Sequence, residues 1–477
     1  MKKIPIILAL AIAAVMLLEP IGAASTVTDF NYSVNPIAVQ LGPDTTLPQG
    51  LPLCRSARLG NIVCYSPKFI KKAYEFPSTA TLDGSGQTIV IVDAFGSPTI
   101  TSDLALFDAI FGIPAPPSFT IFCGNSVTPL DPSTCPNVPI TSNLRHDVFG
   151  WSIETSLDVE YAHAMAPGAN IVLDVASTSS GNAINDAETA AISAYPGAVF
   201  SQSFGIPEIF LTHNGNPGQV SQAQANYANG VALGDTFFAS AGDTGADFGT
   251  GVAMANFPGS DIHNTGVTGT QGLPYNATGT LQPCPTYAPA SCTSGLSRYH
   301  GPCVLGRIVP PNCVPDTYGN EQVWNEHSFG AATGGAQSLL FGVPSYQSGL
   351  GLTSRGPDVA YNAAVDGGVL VVYGALGAPV LFIVGGTSAG SPQWAGIAAL
   401  ANQRRAQLGK GTIGDINPVL YSIYHSARYL TDFHDITVGN DKVAGSSVGF
   451  SAGTGYDVAS GIGSPIVDQL IIDLATA

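Results

Sequence analysis

The feature that most constrains this chain is a set of uninterrupted apolar runs alternating with helical stretches. The runs are Gln87–Ala94, Ala169–Ala176, Ala198–Gly205, Thr236–Ala241 and Val380–Val384. Each is short enough for a strand and apolar at consecutive positions, so both faces of the strand must be covered. Parallel sheets provide that environment. Between the runs, Ser102–Phe111, the segment around Glu154, Asn182–Ala194 and Gln219–Ala232 have helical character. The alternation predicts an α/β domain, a parallel sheet with helices on both faces. Such sheets bind ligands beyond the carboxyl ends of their strands, so polar residues there are the candidates for function.

The last run leads into LFIVGGTSAGSPQWAGIAAL, Leu381–Leu400. Two glycines end the strand and an apolar helix follows, which places Ser388 at a sharp junction beside a helix N-terminus. Free backbone N–H groups and the helix dipole favour developing negative charge there. Gly385, Gly386, Ala389 and Gly390 keep bulk away from the hydroxyl, and Pro392 fits the first helical turn. A small-residue helix start packed on a sheet is the plain structural alternative. In Trp151–Pro167, Ile153, Leu157, Tyr161 and Ala164 form an inward stripe, with Glu154 and Asp158 four residues apart beside it. Alone, that pair reads as a solvated acidic face. Glu160 is off register and is expected at the surface. In Phe237–Asp247 an apolar strand runs into Ala-Gly-Asp-Thr-Gly, where Asp243 alone would suggest an Asx-turn.

Taken together, these segments resemble the sedolisins, the serine-carboxyl peptidases. Gly386-Thr387-Ser388-Ala389-Gly390-Ser391-Pro392 is similar to the nucleophile motif that sedolisins share with subtilisins. Subtilisins also need a His-Gly-Thr-His-type segment, and none of the eight histidines lies in one. Glu154 and Asp158 match the sedolisin Glu-x-x-x-Asp, and Asp243 matches the aspartate of Ser-Gly-Asp-Ser-Gly, with Ala241 and Thr244 in place of its serines. The resemblance implies a subtilisin-like fold and an acid-active endopeptidase. Ser388 would be the nucleophile, Glu154 its general base, Asp158 the residue that orients Glu154, and Asp243 a protonated oxyanion donor. Asp93, at the end of the first sheet strand, is ranked as structural or supporting.

The resemblance also implies one Ca2+ site near the C-terminus. Its ligands would be the carboxylates of Asp435 and Asp457, the backbone oxygens of Ile436, Gly453 and Gly455, and a water. Glycine-rich loops around paired aspartates suit a hard cation that collects oxygen ligands. His434, beside Asp435, is expected to pack rather than ligate.

Residues 1–24 read as a secretory signal: two lysines, an apolar run Ile6–Leu18, then small residues. Residues 25–64 form a short N-terminal segment. The peptidase-like domain spans 65–477, with a Cys/Pro/Gly-rich insertion at about 266–320. Cysteines fall in close couples, Cys54 with Cys64, Cys123 with Cys135, Cys284 with Cys292 and Cys303 with Cys313. Disulfides between neighbours are the simplest assignment in a secreted chain. Charged residues make up 10% of the chain, with 33 acids against 16 bases. That balance leaves no electrostatic footprint for nucleic acid and suits an acidic exterior. The expectation is a secreted monomer that acts on polypeptides and does not associate with membranes once the signal is cleaved. Sedolisins usually carry a long N-terminal pro-domain, and about forty residues separate the signal from Tyr65. Three readings stay open: folding without a pro-domain, a separately encoded one, or a non-catalytic binding protein of the same fold. A tripeptidyl-type exopeptidase is the further alternative.

Overall fold

The computed structural model describes residues 29–34, 36–41, 55–56, 60–61, 64–123, 146–213, 217–272, 318, 321–377 and 379–477. The 1–24 signal, six of the eight cysteines and most of the 266–320 segment lie outside these residues. Cys64 and Cys123 are each disulfide-bonded.

The strands used below are β1 (Ile37–Gln40), β2 (Thr88–Ala94), β3 (Phe119–Phe122), β4 (Asn170–Ala176), β5 (Val199–Gln202), β6 (Thr236–Ser240), β7 (Asn264–Gly272), β8 (Glu321–Val323), β9 (Val359–Asn362), β10 (Gly368–Tyr373) and β11 (Val380–Gly385). The main helices are α1 (Pro67–Ala73), α2 (Ile100–Phe111), α3 (His146–Met165), α4 (Gly181–Ala194), α5 (Pro217–Leu233), α6 (Gly390–Gln407), α7 (Asn417–Tyr424) and α8 (Val467–Thr476). The central sheet has the order β8-β7-β6-β5-β2-β4-β3, with β9 also on β7. All its pairings are parallel except β7 with β8. β2 shows why: from Ile89 to Ala94 every side chain is buried, so the run has no solvent face to alternate with.

Three expectations are corrected. Val380–Val384 was expected in the parallel sheet. Instead β11 lies in a separate four-stranded sheet, antiparallel to both β10 and β1, and Cys64–Tyr65 completes it beside β10. Residues 266–272, expected to open a surface insertion, form most of the buried strand β7. Glu160, expected at the surface, is fully buried and accepts Val372 N at 3.0 Å. Helix α3 packs against β2, β4, β10 and α6, and Trp151–Met165 are buried throughout, so the stripe had no solvent face opposite it.

Helix α3 packs closely on α6. A Cβ at Gly396 would come 2.4 Å from Met165 Cβ, so only glycine allows this approach. The contact brings the Glu154 helix against the helix that begins just after Ser388. Among the described residues no helix is long and apolar enough to cross a membrane.

Candidate active site

Three elements converge on Ser388. β11 ends at Gly385, and a single 3-10 turn, Thr387–Ala389, leads into α6. Gly386 makes that turn possible with φ +130°, a region L side chains avoid. A Cβ there would also come 2.7 Å from Asp243 Oδ2, so the glycine makes room for the carboxyl group.

Asp243 lies three residues beyond β6. Its Oδ1 accepts Thr387 N at 2.7 Å and Thr387 Oγ1 at 2.8 Å. Thr387 Oγ1 in turn accepts Gly242 N at 3.0 Å. These bonds tie the β6 end to the turn that carries Ser388. Ala241, where the family motif has a serine, is held through its backbone, Ala241 N donating to Val267 O at 2.9 Å. Burial raises the Asp243 carboxyl to about 6, against the opposing pull of the Thr387 bonds.

Glu154 and Asp158 are both fully buried on α3. Glu154 is raised above its ordinary range by burial and by the nearby charges of Asp93 and Asp243, while the Ser388 hydroxyl opposes the shift. In this resting geometry the directed bond of Ser388 Oγ goes to Ser203 O at 3.4 Å. That bond is long, as hydrogen bonds in a ligand-free site often are. Asp158 is raised by burial and by the charges of Asp93 and Glu154. Its Oδ1 accepts Ser203 Oγ at 2.8 Å, and Ser203 Oγ also lies 3.2 Å from Ser388 O. Asp158 is therefore tied to the nucleophile turn through Ser203, and no hydrogen bond joins it to Glu154 among the described residues.

Asp93 was ranked below the others on sequence. Its carboxyl group is fully buried and sits within electrostatic reach of both Glu154 and Asp158, making a three-carboxylate cluster. Burial raises it as well, with the Thr155 hydroxyl opposing. Close carboxylates cannot all ionise, so the cluster holds protons in common. Ser203 and Thr387 were not singled out from sequence. Ser203 stands in the Ser-Gln-Ser-Phe-Gly stretch after β5, where a serine at a strand's carboxyl end was the available signal.

The cavity above Ser388 has a volume of about 230 Å3 and is lined by Ser388, Asp243, Thr387, Ser203, Phe248 and Asn256, among others. Ser388, Glu154, Asp158 and Asp243 are thus brought together. The arrangement presents a hydroxyl at a helix start, a buried carboxyl group facing it, and a second carboxyl group that is neutral below about pH 6.

The expected metal ligands lie elsewhere, beyond the end of α7. Asp435 accepts Gly455 N at 3.0 Å on both oxygens, and Tyr429 OH donates to it at 3.2 Å. Asp457 Oδ2 accepts Gly453 N at 3.0 Å, and its Oδ1 accepts Ala459 N and Ser460 N at 2.9 Å. Both carboxylates therefore meet the same short loop, 453–457. Among the described residues no group of three or more His, Cys, Asp or Glu side chains is arranged to hold a metal ion. A cation here would need carbonyl donors in addition to these two carboxylates. His434 packs face to face on Tyr318 with ring centroids 3.4 Å apart, and burial lowers it to about 3.

No family model matches the chain. It is 30% identical to kumamolisin of Bacillus sp. over 420 residues, 85% of this chain and 63% of kumamolisin. It is 42% identical to tripeptidyl-peptidase sed1 of Aspergillus fumigatus over 115 residues, 24% of this chain and 16% of that protein. The chain thus spans less than two thirds of the length of either relative. Among solved structures, Pseudomonas sedolisin, a serine-carboxyl proteinase complexed with two molecules of pseudo-iodotyrostatin, superposes with a TM-score of 0.63 at 22% identity. That superposition covers 87% of this chain and 99% of the other. The superposition gives a subtilisin-like fold, and with the kumamolisin match over most of its length the chain belongs to the sedolisin family.

Proposed function

We propose that the protein is a secreted, acid-active serine-carboxyl endopeptidase. The observation that carries this reading is the meeting of Ser388 and Asp243 at one cavity, with Glu154 buried beside them on a third element and within electrostatic reach of both. Ser388 Oγ attacks the scissile carbonyl while Glu154 takes its proton. Asp158, held by Ser203 and within electrostatic reach of Glu154, shares the cluster's proton, so that Glu154 can ionise and take up the proton of Ser388. Asp243, neutral below about pH 6, donates a hydrogen bond to the oxyanion. Glu154 then returns its proton to the leaving amine, and water hydrolyses the acyl-enzyme by the same steps in reverse order.

One structural Ca2+ is proposed at Asp435, Asp457 and the carbonyls of Ile436, Gly453 and Gly455; it would brace the loops and takes no part in the steps above. A monomeric state belongs to the same reading.

The test is digestion of a denatured protein and of amino-blocked peptides across pH 2–8 by the wild-type chain and by Ser388→Ala. Cleavage confined to acid, retained on blocked peptides and abolished in the variant is expected. Cleavage of unblocked peptides alone would make it an exopeptidase. No serine-dependent cleavage by a folded sample would make it a binding protein of the same fold.

A further inference from the structure

One side of the cavity beside Ser388 is a slot between two neighbouring strand ends, Ser203–Gly205 after β5 and Ser240–Gly242 at the end of β6. Pro207 and Phe248 add apolar surface. Phe248 adopts φ +48°, uncommon for an aromatic residue. Its ring lies so close to Gly242 that a Cβ there would come 2.6 Å from Phe248 Cε1. Between the two strand ends stands the amide group of Asn256. A Cβ at Gly205 would collide with its Nδ2, and one at Gly242 would lie 3.6 Å from the same atom. Asn256 also lines a second cavity of about 10 Å3, shared with Arg355, which has room for about one water. The slot therefore ends at Asn256, with hydrocarbon and backbone along its sides and Nδ2 and Oδ1 at its floor.

The floor is firmly placed. Asn256 stands opposite Pro207 in a short antiparallel ladder, and its carbonyl accepts Ser260 N at 3.0 Å. Asn256 is 7% exposed, and among the described residues no hydrogen bond reaches its amide group. Such an amide keeps its hydrogen bonds only while water reaches it. An apolar side chain entering the slot would strip donor and acceptor of partners, whereas one tipped by a matching donor and acceptor would replace them.

In the reaction above, the scissile carbonyl lies between Ser388 Oγ and Asp243, and the slot shares one cavity with both. It is placed to receive the side chain of the residue that supplies that carbonyl. We propose that Asn256 determines specificity there, pairing through Nδ2 and Oδ1 with a carboxamide or an un-ionised carboxyl group. The chain then cuts after glutamine, and in acid after glutamic acid, in preference to an apolar residue of the same length. The apolar walls take the methylene stem. The cleavage consequence rests on the peptidase reading above; binding of such a side chain in the slot does not.

The test uses amino-blocked peptides with glutamine, glutamic acid or methionine as the one variable residue among alanines. At about pH 3 a free glutamic acid side chain is mostly un-ionised. There the wild-type chain should cleave after glutamine and glutamic acid with kcat/KM about tenfold or more above methionine. Asn256→Leu, checked for folding by its melting temperature, should lose that preference while still cleaving the methionine peptide. Asn256→Asp, whose un-ionised carboxyl group offers the same donor and acceptor, should keep it. A purely structural role for Asn256 would lower all three rates together with their ratios unchanged, and would overturn the proposal. In parallel, fluorescent forms of the glutamine and methionine peptides are titrated into Ser388→Ala chains with and without Asn256→Leu. Tighter binding of the glutamine peptide that depends on Asn256, with no cleavage by the wild-type chain, would overturn the peptidase reading and leave the slot standing. Cleavage of all three peptides at similar rates by the wild-type chain would overturn the slot and leave the peptidase reading standing.

Discussion

Asp243 is the residue whose protonation sets the upper pH limit of the proposed chemistry. Its Oδ1 is used twice by Thr387, so the remaining oxygen must carry the proton if it is to donate. Burial places that proton's loss at about 6. Activity should therefore fall as pH rises through about 6, even while Glu154 becomes a better base. Asp243→Asn separates the two effects, since an amide oxygen can accept both Thr387 bonds while its NH2 donates at any pH. The upper limb of the pH–kcat profile should then move up by about one unit or more. An unmoved limb would assign it to another group. Ser388, Glu154, Asp158 and Asp243 could be singled out because each sits in a motif of fixed spacing. Asp93 and Ser203 could not be weighed the same way. Their roles depend on which side chains face them across strands far apart in sequence, and no local spacing encodes that.

At the level of elements, the loops carrying Asp435 and Asp457 offer a measurable consequence. In the resting geometry the carboxylates accept hydrogen bonds from the backbone N–H groups of Gly453 and Gly455. A bound Ca2+ at a hundredfold its Kd would add roughly 2.7 kcal/mol to folding. Removing it with a chelator should lower the melting temperature by a few degrees, and Asp457→Asn should abolish the chelator's effect. An unchanged melting temperature, with metal content shown to be zero, would sink the site. Helices and central strands were legible because their apolar patterns have distinct periods. Strand partners were less so. Val380–Gly385 reads the same whether its covered neighbours run parallel or antiparallel, and the pairing with Ile37–Gln40 joins residues more than three hundred positions apart. Glu160 was misplaced for a related reason: an amphipathic stripe identifies one buried face of a helix and is silent about a second sheet lying over the other.

Across the whole molecule, the acidic composition has a consequence for stability that follows from where the acids sit. Burial raises Glu188 to about 8 and Asp235 to about 7. It also raises Glu154, Asp158, Asp93 and Glu160 above their ordinary range. In each case the folded chain keeps a proton that the unfolded chain releases near pH 4. Their contribution is thus fully present below about pH 4 and is lost as pH climbs through the folded values. Asp83 and Asp473 shift the other way, but both are mostly solvated and count for little. The urea midpoint should therefore decline steadily from about pH 4 to 8. Glu188→Gln isolates one contributor. The carboxyl group of Glu188 already accepts from Gln202 Nε2 and from Tyr227 OH, and an amide oxygen can accept the same bonds without ionising. The variant should match the wild type in acid and lose less stability between pH 5 and 8. A midpoint that rises with pH, or a variant whose slope equals the wild type's, would mean that Glu188 does not keep its proton in the folded state.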